Sequence, residues 1–104
     1  MIKQETIGKA INILQEAVPD AMIMLFGSQA RGDAKEGSDL DFLVVEPFVR
    51  SRRKEIARLV DLLRPLRIPV DVLVFSRDTF NKWSKIPGNV LYHAATEGKV
   101  LNAG

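Results

Sequence analysis

Apolar residues recur at helical spacing between Lys3 and Val18, at Ile7, Ala10, Ile11, Leu14, Ala17 and Val18, which predicts a first amphipathic helix stopped by Pro19-Asp20. The short apolar run from Ala21 to Phe26 then reads as a buried strand ended by Gly27-Ser28. Ser28 can cap a short helix through Arg31, and Gly32, Gly37 and the charges between them form a loop. Leu40 to Val45 is the second strand, broken by Glu46-Pro47.

From Arg50 to Leu66 the residues Ile56, Leu59, Val60 and Leu63 share one face, with arginines on the others, so a second long amphipathic helix is expected with Pro65 near its end. Ile68 to Phe75 is β-branched and apolar apart from Asp71, the pattern of a third, core strand. Ser76 offers an N-cap for a short helix over Arg77 to Lys85. After Pro87-Gly88, Val90 to Glu97 resumes as helix, Gly98 stops it, and Lys99-Val100-Leu101 forms a short extension. No repeat, low-complexity stretch or linker interrupts this order. The expectation is one α/β domain over residues 1–104, with a small mixed sheet of three to four strands flanked by helices.

Composition narrows the chemistry. With 104 residues, 46% of them apolar, the chain fits one modest core, so a large substrate cleft needs walls from elsewhere. A net charge of +2 falls short of the dense positive field of a dedicated nucleic-acid binder. The absence of cysteine excludes disulfides, a thiolate nucleophile and thiolate metal ligands, leaving oxygen or the lone His93 to hold any metal. No apolar run approaches the length of a membrane span and the first residues lack a signal-peptide core, so a cytoplasmic protein without a membrane partner is expected.

Asp39 and Asp41 stand one residue apart at the mouth of the second strand, so alternation sends both carboxylates to one face. Two like charges that close call for a cation, and Mg²⁺ suits oxygen ligands that it shares with substrate phosphates. The plainer reading, that both aspartates solvate a strand end or cap the loop, fits the spacing equally well. Asp71 tilts the balance, because a carboxylate in a core strand is costly unless paired or metal-bound. A third carboxylate on a neighbouring strand would complete a two-metal site for in-line displacement. The competing reading has Asp71 at a strand edge paired with Arg67 or Arg77. Gly27, Ser28 and Arg31 can cradle a polyphosphate at a strand-to-helix turn, although a Gly-Ser there is more often only a capped turn.

Gly27-Ser28-Gln29-Ala30-Arg31-Gly32, then Ser38-Asp39-Leu40-Asp41, then Asp71 between hydrophobic residues, together resemble the minimal nucleotidyltransferases of the DNA polymerase β-like superfamily, in element order through nearly the whole chain. The resemblance implies that Gly27, Ser28, Arg31 and Ser38 bind the nucleoside triphosphate. It implies that Asp39 and Asp41 ligate Mg²⁺, and that Asp71 completes the metal site and helps activate the acceptor hydroxyl. It also implies a partner. Stand-alone domains of this kind are often antitoxins of HEPN/MNT pairs, transferring AMP from ATP to a tyrosine of a small helical HEPN-type toxin. The missing second domain argues against a tRNA-end-adding or antibiotic-modifying enzyme acting alone.

Two alternatives stand beside that reading: a non-catalytic module that neutralises its partner by contact, and transfer to a small molecule with a partner subunit completing the pocket. Nucleotide preference and oligomeric state are left open. His93 reads as a packing or surface residue, the Arg50 to Lys54 cluster as a solvated helix start, and Trp83 with Phe80 and Ile86 as core or interface.

Overall fold

The structure, a computed structural model, describes residues 4–27, 32 and 39–102. Helix α1 spans Gln4–Ala17 and buries Ile7, Ala10 and Leu14, the stripe that its period predicts. Strand β1 (Met22–Phe26) follows, and strand β2 (Leu40–Glu46) lies antiparallel to it, pairing Met22 with Val45 and Phe26 with Asp41. Helix α2 (Arg52–Leu63) begins at Ser51, whose Oγ accepts a hydrogen bond from the Lys54 amide at 3.4 Å.

Helix α2 stops at Leu63, earlier than Leu66, because Pro65 tightens residues 64–66 into a 3₁₀ turn. Arg67 then takes a left-handed φ of 54°, turning the chain into strand β3 (Val70–Ser76). Helix α3 (Arg77–Trp83) is capped by Ser76, and helix α4 (Val90–Glu97) by Asn89, whose Oδ1 accepts from the amides of Leu91 and Tyr92. Lys99-Val100-Leu101, expected as a short extension, belong to strand β4 (Lys99–Asn102), antiparallel to β1, the fourth strand of the three to four expected.

Among the described residues these strands make one four-stranded mixed sheet in the order β3-β2-β1-β4, with β2 and β3 parallel. Its two faces differ in cover. Ile23, Leu25, Leu40, Phe42, Val44, Val72 and Val74 pack under α1 and α2 in the larger core. Met24, Leu43 and Val45 pack with Leu91 and Ala94 of α4, while Phe26, Leu73, Phe75 and Phe80 are only partly covered. The second face is therefore the open one, roofed by the short α3 and α4. Tight contact holds that roof down: a Cβ at Gly98 would meet the Leu25 carbonyl oxygen and Met24 Cε at 3.2 Å each.

Candidate active site

Leu40 and Phe42 are fully buried in the larger core, so the residues in the opposite phase of β2, Asp41 among them, belong to the open face. Asp39 is exposed just before the strand. Across the parallel β2/β3 ladder Asp41 is the register partner of Asp71, and the Leu40 amide extends the ladder to the Pro69 carbonyl at 2.9 Å. Neighbouring strands lie about 4.8 Å apart, so the backbone brings Asp41 and Asp71 to one corner of the sheet, with Asp39 just before β2.

The expectation that Asp71 is buried in a core strand is overturned. Asp71 is exposed, because β3 is the edge strand and its apolar burial lies at Val72 and Val74. The arginine pairing weighed against metal binding is not found either. Asp71 has no hydrogen-bond or ion-pair partner among the described residues, and Arg77 instead donates from Nη2 to the Asp20 carbonyl at 3.4 Å. The carboxylate is affordable here because water reaches it, so its cost can no longer stand as evidence for a metal.

Gly27 closes the corner from the β1 side. Its φ of 74° is left-handed, and a Cβ built on it would overlap Oδ2 of Asp41 and lie 3.2 Å from the carboxylate carbon. Only glycine lets β1 turn away directly beside that carboxylate. Ser28, Arg31 and Ser38, expected to bind the nucleotide, lie outside the described residues.

The donors at the corner are all carboxylate oxygens, the ligand type of a hard divalent cation, and their backbone positions suit one. As placed, the side chains are not gathered: among the described residues no group of three His, Cys, Asp or Glu side chains is close enough to hold a metal ion. The carboxylate donors suit Mg²⁺ in chemistry, and the Asp71 side chain, exposed and without a partner among the described residues, is free to change rotamer.

The far end of β2 holds a second cluster of charge that the sequence reading missed. Glu46 is hydrogen-bonded to Glu55, and its own Oε2 is buried with no partner among the described residues. Burial foremost, then that hydrogen bond and the Glu55 charge, push the Glu46 carboxyl up to about 8. Glu55 is held down at about 2, chiefly by Arg58, whose Nε and Nη2 donate to it at 2.7 and 2.8 Å. The available signal was an acid closing an apolar strand, with a Glu-Arg pair three apart on the next helix.

Of the remaining candidates, His93 is exposed, as expected of a surface residue. Arg52 departs from a merely solvated helix start: its Nε donates to the Val74 carbonyl at 2.7 Å and its guanidinium sits 4.0 Å from the Phe75 ring centroid. No helix among the described residues is long and apolar enough to cross a membrane.

Comparison with known proteins adds to this geometry. Residues 7–95 match the sequence profile of the family described as nucleotidyltransferase domain. Over 66 residues the chain is 41% identical to the probable protein adenylyltransferase MntA of Haemophilus influenzae, a match covering 59% of this chain and 58% of that protein. The fold is similar to a chain of the crystallised MntA-HepT toxin-antitoxin, with a TM-score of 0.64 at 23% identity, covering 98% of this chain and 74% of that one. It is also similar to a chain in the complex of tri-AMPylated Shewanella oneidensis HEPN toxin with MNT antitoxin, with a TM-score of 0.58 at 20% identity, covering 99% and 74%. A toxin-antitoxin crystallised with AMP-PNP gives a TM-score of 0.63 at 23% identity, covering 99% and 75%.

Proposed function

The chain belongs to the nucleotidyltransferase domain family, and from that premise we propose that it transfers AMP from ATP to a hydroxyl of a partner protein, a HEPN-type toxin, and so acts as its antitoxin in the cytoplasm. The observation that carries this reading is the opposition of Asp41 and Asp71 across the β2/β3 ladder. The relatives lend support to the protein acceptor: one is named a probable protein adenylyltransferase, and another is a complex with an AMPylated HEPN toxin.

In this reading the acceptor oxygen attacks the α-phosphorus of ATP, the bond to the bridging oxygen of the β-phosphate breaks, and pyrophosphate leaves. Asp39 and Asp41 would hold Mg²⁺ together with Asp71. When bound, the metal neutralises charge on the triphosphate and polarises the reacting oxygens. Asp71, reached by water and without a partner among the described residues, orients the acceptor hydroxyl and takes up its proton. Gly27 lets the chain leave β1 flush against Asp41, keeping the corner open for a phosphate, and Ser28, Arg31 and Ser38 contact the triphosphate.

The test is incubation of the chain with labelled ATP, Mg²⁺ and the cognate HEPN toxin. Label should pass to the toxin and be lost when Asp39→Asn and Asp41→Asn are combined. Absence of label with the native chain, or transfer indifferent to the double substitution, would sink the proposal. If the double variant still silences the toxin at equal dose, contact rather than chemistry accounts for the antitoxin effect.

A further inference from the structure

Trp83, Ile86 and Val90 are large apolar residues left 42%, 43% and 41% exposed on the link between α3 and α4. They are held in place: the Asn89 side-chain amide donates to the carbonyls of Trp83 at 3.1 Å and Ile86 at 2.6 Å, while its oxygen caps α4. Trp83 and Val90 also line an apolar depression of about 220 Å³ together with Phe75, Thr79 and Leu91. An exposed apolar cluster on so well-anchored a turn costs solubility without contributing to the core, the mark of a contact surface.

Its position relates it to the carboxylate corner. Phe75 and Leu91 belong to the small core on the open sheet face, the face to which Asp41 and Asp71 belong by alternation. Asp71 and Phe75 are four residues apart on one strand, about 13 Å at 3.3 Å per residue. Nine residues of helix, at about 1.5 Å each, span the same length. One helix of a protein acceptor is therefore long enough to reach from one place to the other.

Charge selects among occupants. Between residues 77 and 93 the chain carries Arg77, Lys82 and Lys85 against one acid, Asp78, and the Lys82 ammonium lies 5.4 Å from the Trp83 ring centroid. Two copies meeting patch to patch would bring these cations together, which disfavours self-pairing. An acidic rim would complement them.

We propose that the Trp83-Ile86-Val90 patch docks an apolar, acid-flanked helix of the acceptor protein, setting its hydroxyl at the Asp39-Asp41-Asp71 corner. This rests on the transfer reading above for the identity of the acceptor. The patch binds and positions; it takes no part in the bond changes.

Trp83 is the sole tryptophan of the chain, so 5-fluorotryptophan places one ¹⁹F reporter in the patch. Titration with the cognate HEPN toxin should shift that resonance. Combining Ile86→Glu with Val90→Glu should raise KM for the toxin at least tenfold, the loss usual for charge placed in an interface anchor, with kcat and ATP binding within twofold. Glutamate is tolerated at the first turn of α4, and Ile86→Glu alone, in an exposed turn, serves as the milder variant whose fold circular dichroism checks. An unmoved resonance, or an unchanged KM in the folded variants, overturns the proposal. So does a resonance that shifts with the chain's own concentration as dimers appear in sedimentation, because a second copy then covers the patch. A resonance that moves on toxin addition without any labelling of the toxin upholds docking while refuting transfer.

Discussion

Gly27 lies against the carboxylate of Asp41 so closely that a Cβ would overlap Oδ2, and it does so at a left-handed φ of 74°. Two penalties therefore coincide at one position. Gly27→Ala is expected to cost about 1–2 kcal/mol from the left-handed backbone alone, and to push Asp41 out of place. Transfer should fall by about two orders of magnitude, far more than the few degrees of lost Tm would explain. Parallel measurement of thermal unfolding and of toxin labelling checks this.

Asp71 separates function from stability in the opposite way. It is exposed and without a partner among the described residues, so Asp71→Asn should leave stability within about 0.5 kcal/mol of the native chain. Label transfer should nevertheless drop by about a hundredfold or more, because asparagine can neither take up a proton nor offer a charged ligand. Denaturant unfolding beside the transfer assay reads both quantities.

The Glu46-Glu55-Arg58 cluster gives the fold a pH signature remote from the carboxylate corner. Glu46 has its folded pKa raised from 4.5 to about 8, so the stability that it contributes is complete below 4.5 and is lost as pH rises toward and through 8. Glu55 is lowered from 4.5 to about 2, so its contribution is complete above 4.5 and is lost as pH falls through 2. The pair thus favours the folded chain most near pH 4.5. Glu46→Gln should flatten the decline between pH 5 and 8 and stabilise the chain at pH 8 by about 1 kcal/mol, after allowance for partial solvent screening. Urea midpoints collected across that range provide the check.

Arg52 ties the start of α2 to the edge strand through Val74 and Phe75. Arg52→Ala removes one charge-assisted hydrogen bond and one cation-π contact, a loss of about 1–3 kcal/mol. Arg52→Lys should recover only part, since an ammonium cannot reproduce the planar fork over the ring. Equilibrium unfolding of the two variants ranks them.

The helices and core strands were legible because one face of each is apolar with the right period: Ile7, Ala10 and Leu14 on α1, Leu59 and Leu63 on α2. The pairing of Asp39 with Asp41 also follows from a period of two. Which strand neighbours which is not written in any local pattern, and that is why Asp71 reads as buried from the sequence. Valines at 70, 72 and 74 look the same in an edge strand as in a central one, yet in the edge strand the carboxylate between them meets water. Strand β4 reads only as a short extension because four residues, Lys99–Asn102, are too few to show alternation, and their pairing to β1 is a tertiary event. The Glu46-Glu55 hydrogen bond was equally hidden, since eight residues and a helix start separate its members.

Strand β3 touches a strand on one side only. Asp41 rides on β2, clamped between two neighbours, with Asp39 just before that strand, while Asp71 rides near the start of β3, held to the sheet by a single ladder. Loosening the first residues of β3 would carry Asp71 away from Asp41 and leave α1, β1 and most of the larger core intact. Competence for chemistry and persistence of the fold are then set by different free energies, the smaller one belonging to a few hydrogen bonds at a sheet margin. Amide exchange at residues 70–72, rather than global unfolding, reports that smaller free energy.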